Sequence, residues 1–100
     1  MKNIAENYLC QTDNTLPWAQ NEAARSLLEF VYYGGIWDED FKEKRAELFK
    51  KEISSLTEKE IFSYLTAIIA GDRVNEGFYD EKIKDGTIHD LMKRYLEVAE

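Results

Sequence analysis

The stretch from residue 56 to residue 71, Leu-Thr-Glu-Lys-Glu-Ile-Phe-Ser-Tyr-Leu-Thr-Ala-Ile-Ile-Ala-Gly, constrains the fold more than any other part of the chain. Thr57-x-x-Glu60 is a capping box: the threonine oxygen can accept from the third backbone amide, and Glu60 can reach back to the cap. Leu56 and Ile61 stand where a hydrophobic staple fixes the entry of the chain. Beyond the box, Ile61, Phe62, Leu65, Ile68 and Ile69 are apolar over more than one helical face. A helix of that kind has to be surrounded. The spacing therefore predicts a central helix over 61–70, with Gly71 as its stop.

The remaining segments read as helices that could surround it. Ile4, Tyr8 and Leu9 allow one or two turns, and residues 11–15 are polar and turn-like. Thr15 followed by Pro17 suits a helix start, because proline is tolerated in a first turn. The next helix then covers 19–32, with Ala23, Leu27, Phe30, Val31 and Gly34 on one face, and Gly34-Gly35 closes it. Asp38 or Asp40 can cap a third helix whose apolar seam is Trp37, Phe41, Leu48, Phe49 and Ile53. A short helix covers 78–84, with Gly86 as its stop. Thr87 opens the last helix, with Asp90 as the acidic partner of a weaker box. Its residues Ile88, Leu91, Met92, Tyr95 and Leu96 fall at i, i+3, i+4, i+7 and i+8. No segment alternates long enough for a strand, and 30–33 is the one place where a strand competes. The expected fold is all-α: a compact single-domain bundle of four to five helices over 1–100, with 61–70 and 88–98 at its centre.

Charge narrows the class of partner. Thirteen Lys and Arg against twenty Asp and Glu leave a formal charge of −7. A nucleic-acid binder needs cations to displace condensed counterions, so direct nucleic-acid binding is disfavoured. Lys42, Lys44, Arg45, Lys50 and Lys51 are interleaved with Glu43, Glu47 and Glu52, the pattern of a solvated helix face. The acidic surplus favours a basic protein partner, through steering more than through affinity. No apolar run approaches the roughly 18 residues of a membrane span. The first residues lack a signal peptide's apolar core, and the single Cys10 has no internal disulfide partner. These features point to a cytoplasmic protein with no membrane association.

From residue 65 onward the sequence has a familiar outline. Leu65-Thr66-Ala67-Ile68-Ile69, Asp72-Arg73, Glu76-Gly77, Gly86, Ile88, Leu91 and Arg94 resemble the ending of a bacterial domain-of-unknown-function family, number 6508. The resemblance spans about residues 37–96. Val74 departs from it, standing where the family tends to place phenylalanine. The resemblance implies a helical fold and a bacterial source, and it names no reaction.

The candidate functional residues fall into three groups. Asp72, Arg73 and Glu76 lie between Gly71 and Gly77, in an expected loop between two helices. Arg73 there reads as a structural tie to helix ends and carboxylates, because guanidinium offers a planar fork of donors. The competing reading is an anion anchor in a small-ligand or enzymatic site. Asp38, Glu39, Glu43 and Glu47 form an acidic run with a solvated face. Tyr32 and Tyr33 cannot both face one direction on a helix, so one of them, taken as Tyr33, is offered to solvent, and exposed tyrosines are enriched at interface hot spots. His89 and Cys10 are lone representatives of their types, too little material for a nucleophilic triad or a metal site. Glycine spacings match neither phosphate-cradling motif. No catalytic residue, metal or cofactor is implied. The favoured function is a non-enzymatic interaction module, an inhibitor or regulator of a basic partner. By analogy, phages and mobile elements carry such proteins, including inhibitors of nucleic-acid-targeting defence systems.

Overall fold

In the computed structural model, residues 58–74 form one helix, α4 (Glu58–Val74), and four other helices pack against it. The structure describes residues 1–11, 13 and 15–99; within the turn-like stretch, Thr12 and Asn14 lie outside the described residues. Both halves of the capping box form. Glu60 N donates to Thr57 Oγ1 at 3.2 Å, and Thr57 N donates to Glu60 Oε1 at 3.0 Å. Leu56 and Ile61 are fully buried, and every residue from 63 to 69 is buried on α4.

Gly71 does not stop this helix, which runs on to Val74. A glycine inside a helix costs about 1 kcal/mol relative to alanine but leaves the hydrogen-bond ladder intact. Here the Asn75 amide still donates to the Gly71 carbonyl at 2.9 Å. The glycine serves a contact: the Phe78 ring lies 2.9 Å from where a Cβ would stand.

Against α4 stand α2 (Glu22–Tyr33), α3 (Phe41–Leu48), α5 (Phe78–Lys84) and α6 (Thr87–Val98); α1 (Lys2–Gln11) lies outside it on α2 and α6, and single 3-10 turns lie at Trp18–Gln20 and Ile53–Ser55. No strand occurs among the described residues, and 30–33 form the end of α2. Six α-helices among the described residues thus replace the expected four to five. The first segment is a ten-residue helix, not one or two turns, because Ala5 and Tyr8 are buried where α1 packs on α6 and α2.

Helix starts differ from expectation where a local signal lost to a better-placed side chain. Asn21, not Thr15, caps α2, with Oδ1 accepting from Ala24 N at 3.1 Å, while Pro17 precedes the separate 3-10 turn. Ahead of α3, Asp38 Oδ1 accepts from Asp40 N at 2.9 Å. That helix ends at Leu48, so Ile53 belongs to the next turn and not to its seam. The Thr87–Asp90 box does not form, because Thr87 is already the first residue of α6 and Asp85 Oδ1 accepts from its amide at 2.9 Å.

α5 matches the expected range 78–84 and is tied to three parts of the chain. Asp72 Oδ1 accepts from Gly77 N at 3.2 Å and Tyr79 N at 3.0 Å, capping the helix from the end of α4. The buried Tyr79 hydroxyl donates to the Ala24 carbonyl on α2 at 2.8 Å. Asp80 Oδ1 accepts from Trp18 N at 2.7 Å. The radius of gyration is 12.2 Å, close to the roughly 13 Å of a compact 100-residue chain. No helix of the described residues is long and apolar enough to cross a membrane.

Candidate functional site

The end of α2 turns sharply because two glycines follow Tyr33. Gly34 lies so close to the α2 backbone that a Cβ would meet the Phe30 carbonyl oxygen at 2.5 Å, and Gly35 adopts φ +84°. This reversal folds Trp37 back against the helix it follows. The Trp37 ring stacks on Tyr32, with centroids 5.1 Å apart and planes 14° from parallel. Phe41, at the start of α3, meets Trp37 edge-on at 5.9 Å, and Tyr33 leans on Tyr32 at 6.0 Å.

Arg73 joins this cluster from the last turn of α4. Its Nε donates to the Tyr32 hydroxyl at 2.7 Å, and its Cζ lies 4.7 Å from the Tyr32 ring centroid and 5.9 Å from that of Trp37. A guanidinium over an aromatic face is attracted by the ring quadrupole, by about 0.5–1 kcal/mol at an exposed site. The outer member, Tyr33, is 86% exposed. Four aromatic rings and one cation therefore make a continuous surface, with Tyr33 at its outer edge.

Beneath Trp37, Asp38 anchors the turn to α4. Its amide donates to Thr66 Oγ1 at 3.2 Å, and its Oδ2 accepts from Ser63 Oγ at 2.5 Å and Lys44 Nζ at 2.9 Å. Ser63 has one hydroxyl hydrogen, and the charged carboxylate takes it in preference to the Lys59 carbonyl at 3.1 Å. The Ser63 hydroxyl, and after it the Lys44 ammonium, hold the Asp38 carboxyl down at about 2. The same pair raises the Lys44 pKa, chiefly through its bond to Asp38.

The residues singled out from sequence separate into three places. Tyr33 and Arg73 meet the same Tyr32 ring, and Asp38 lies next in the chain to Trp37. Asp72 and Arg73 lie in the last turn of α4 and not in a loop, and they do not form a set with Glu76. Asp72 caps α5, Arg73 faces Tyr32 and Trp37, and Glu76 is exposed. Arg73 therefore ties to a hydroxyl and two rings, where carbonyls and carboxylates were expected. Glu39, Glu43 and Glu47 are exposed, whereas Asp38 is internally engaged and leaves that solvated run. Tyr32 and Trp37 complete the cluster, although the sequence points to Tyr33 alone as the exposed ring and assigns Trp37 to an apolar seam. The usable signal was the doubled tyrosine directly before Gly34-Gly35, since a reversal there returns the next aromatic onto the last turn.

The chain belongs to a family of unknown function, DUF6508, whose model matches residues 13–100. The match extends beyond the resemblance at residues 37–96 and begins after α1. No curated protein and no solved structure matches the chain.

Proposed function

We propose that this member of the DUF6508 family is a protein-interaction module that docks a basic partner on the aromatic and arginine surface at the end of α2. The observation that carries the reading is the exposure of Tyr33, 86%, at the edge of a packed cluster of Tyr32, Trp37 and Arg73. Tyrosine, tryptophan and arginine are the residue types enriched at binding hot spots, and rings already held in place lose little entropy on docking.

The exposed Glu39, Glu43 and Glu47 supply the charge that would draw a basic surface in. Trp37 touches Phe41, so Glu39 and Glu43 bracket in sequence a residue of the cluster itself. Asp38 is not part of this attraction, because its charge is already met by Lys44. We read the consequence of docking as inhibition or regulation of the partner, the role that small acidic proteins of phages and mobile elements fill by analogy.

The test is a photo-cross-linking residue placed at position 33, and in a second protein at the exposed Lys84 on α5. A discrete adduct from position 33 alone identifies the partner. Binding of the purified pair should then weaken by about tenfold or more in Tyr33→Ala, the effect of removing a hot-spot ring. Association with a Glu39→Gln, Glu43→Gln, Glu47→Gln variant should be slower and less salt-dependent than with wild type. Equal labelling from both positions, or unchanged affinity in Tyr33→Ala, would overturn the reading.

A further inference from the structure

A second surface feature lies where the Ile53–Ser55 turn meets α6, with Tyr64 of α4 also in its lining. There an open cleft of about 510 Å³ is lined by three cations, Lys51, Lys93 and Arg94, and three carboxylates, Glu52, Asp90 and Glu97. Its volume falls within the range of small-molecule sites, about 300–1,000 Å³. Tyr64, only 6% exposed, contributes an immobile wall.

The charges in this cleft are not paired with one another as their spacing would suggest. Asp90 and Arg94 stand four residues apart on α6, as do Lys93 and Glu97, the spacing at which helical ion pairs usually form. Neither pair closes; the salt bridges among the described residues are Lys44–Asp38, Lys51–Glu60 and Lys82–Asp85. Arg94 has a reason. Its Nε donates to the Leu56 carbonyl at 3.0 Å, which pins the guanidinium toward the turn and away from Asp90. The terminal nitrogens of its fork make no hydrogen bond to a described residue, and Lys93 makes none either. Lys51 is satisfied by Glu60 at 2.5 Å.

We propose that this cleft binds a zwitterionic ligand of the amino-acid or short-peptide class. Its carboxylate is taken by the Arg94 fork with Lys93, and its ammonium by Asp90, one turn of α6 from Arg94. The fork geometry of a guanidinium held at Nε suits a planar carboxylate accepting two parallel bonds. A simple anion would gain those bonds but face three carboxylates, and a simple cation would face Arg94 and Lys93. Only a ligand with both charges meets both signs of charge in the lining. The site is separate from the aromatic surface and stands independently of the docking function.

The experiment is an amide-resolved NMR titration of the full chain with three probes: glycylglycine, N-acetylglycine, which keeps only the carboxylate, and glycinamide, which keeps only the ammonium. Glycylglycine should give saturable shifts at Asp90, Lys93 and Arg94. The singly charged probes should bind at least about tenfold more weakly. Asp90→Asn and Lys93→Gln change exposed side chains and leave the fold intact, whereas Arg94→Gln also cuts the tether to Leu56. Asp90→Asn should weaken glycylglycine and leave N-acetylglycine no weaker, and Lys93→Gln should weaken both. The absence of saturable glycylglycine shifts, equal binding of all three probes, or unchanged binding in both variants would each overturn the proposal.

Discussion

The ring of Phe78 occupies the space a side chain at position 71 would need, its Cδ2 lying 2.9 Å from an ideal Cβ on Gly71. Phe78 is itself held, against Phe49 with ring centroids at 6.2 Å and beneath Lys82 Nζ at 5.3 Å. Gly71 is therefore the point at which α5 approaches α4 most demandingly. Helix propensity alone would favour Gly71→Ala by about 0.8–1.0 kcal/mol. Overpacking against a held ring costs about 1–3 kcal/mol, so the variant should lose roughly 1 kcal/mol in urea denaturation. In a Phe78→Leu background the same change should be neutral or stabilising. A stabilised single variant would show that the ring yields.

Acid should selectively remove the contribution of Asp38. Its carboxyl is lowered to about 2 from an ordinary 3.8, first by the Ser63 hydroxyl and then by Lys44. A depressed carboxylate contributes stability that is fully present above its unfolded value and is lost as pH falls through the folded one. The stability difference between wild type and Asp38→Asn should accordingly be constant near neutrality and shrink between about pH 4 and pH 2. Urea midpoints measured across that window test this, and a difference independent of pH would mean that the charged form is not what the turn requires.

Arg73 and Tyr32 should be energetically coupled. Arg73→Lys removes the planar fork that donates to the hydroxyl, and Tyr32→Phe removes the acceptor while keeping the ring. Each single change should cost about 0.5–1.5 kcal/mol, the ordinary worth of a hydrogen bond, and the double variant should cost less than their sum. Thermal or chemical denaturation of the four proteins provides the cycle. Strict additivity would show that the contact contributes nothing.

What could be read from the sequence was whatever is decided within a few residues. Thr57, Glu60 and the Leu56–Ile61 staple act within one turn, and α4 starts where they place it. The short α5 also has its expected limits, because Gly77 at φ +96° and Gly86 at φ +86° bracket it. Gly71 was misread as a stop because its reason is a ring seven residues away, not the local chain. The Asn21 cap had no such local signal, since the buried position that makes it effective is a tertiary property. In the candidate site, the exposure of Tyr33 followed from adjacency to Tyr32. The meeting of Arg73 with Tyr32, forty-one residues apart, has no signature in spacing.

The packing of α1 against α6 has a consequence for how the chain reaches its native state. α2 to α5 all lie between these two helices, so their contact closes a loop that contains every other helix of the described residues. A ten-residue helix is marginal by itself in water. Closing a long loop is also the slowest kind of contact to establish, since its entropic cost precedes any reward. During synthesis α1 leaves the ribosome well before α6, yet α6 supplies its main docking face. Until residues 87–98 emerge, Ala5 and Tyr8 have only α2 to lean on, and the nascent chain carries an unfinished seam along α1.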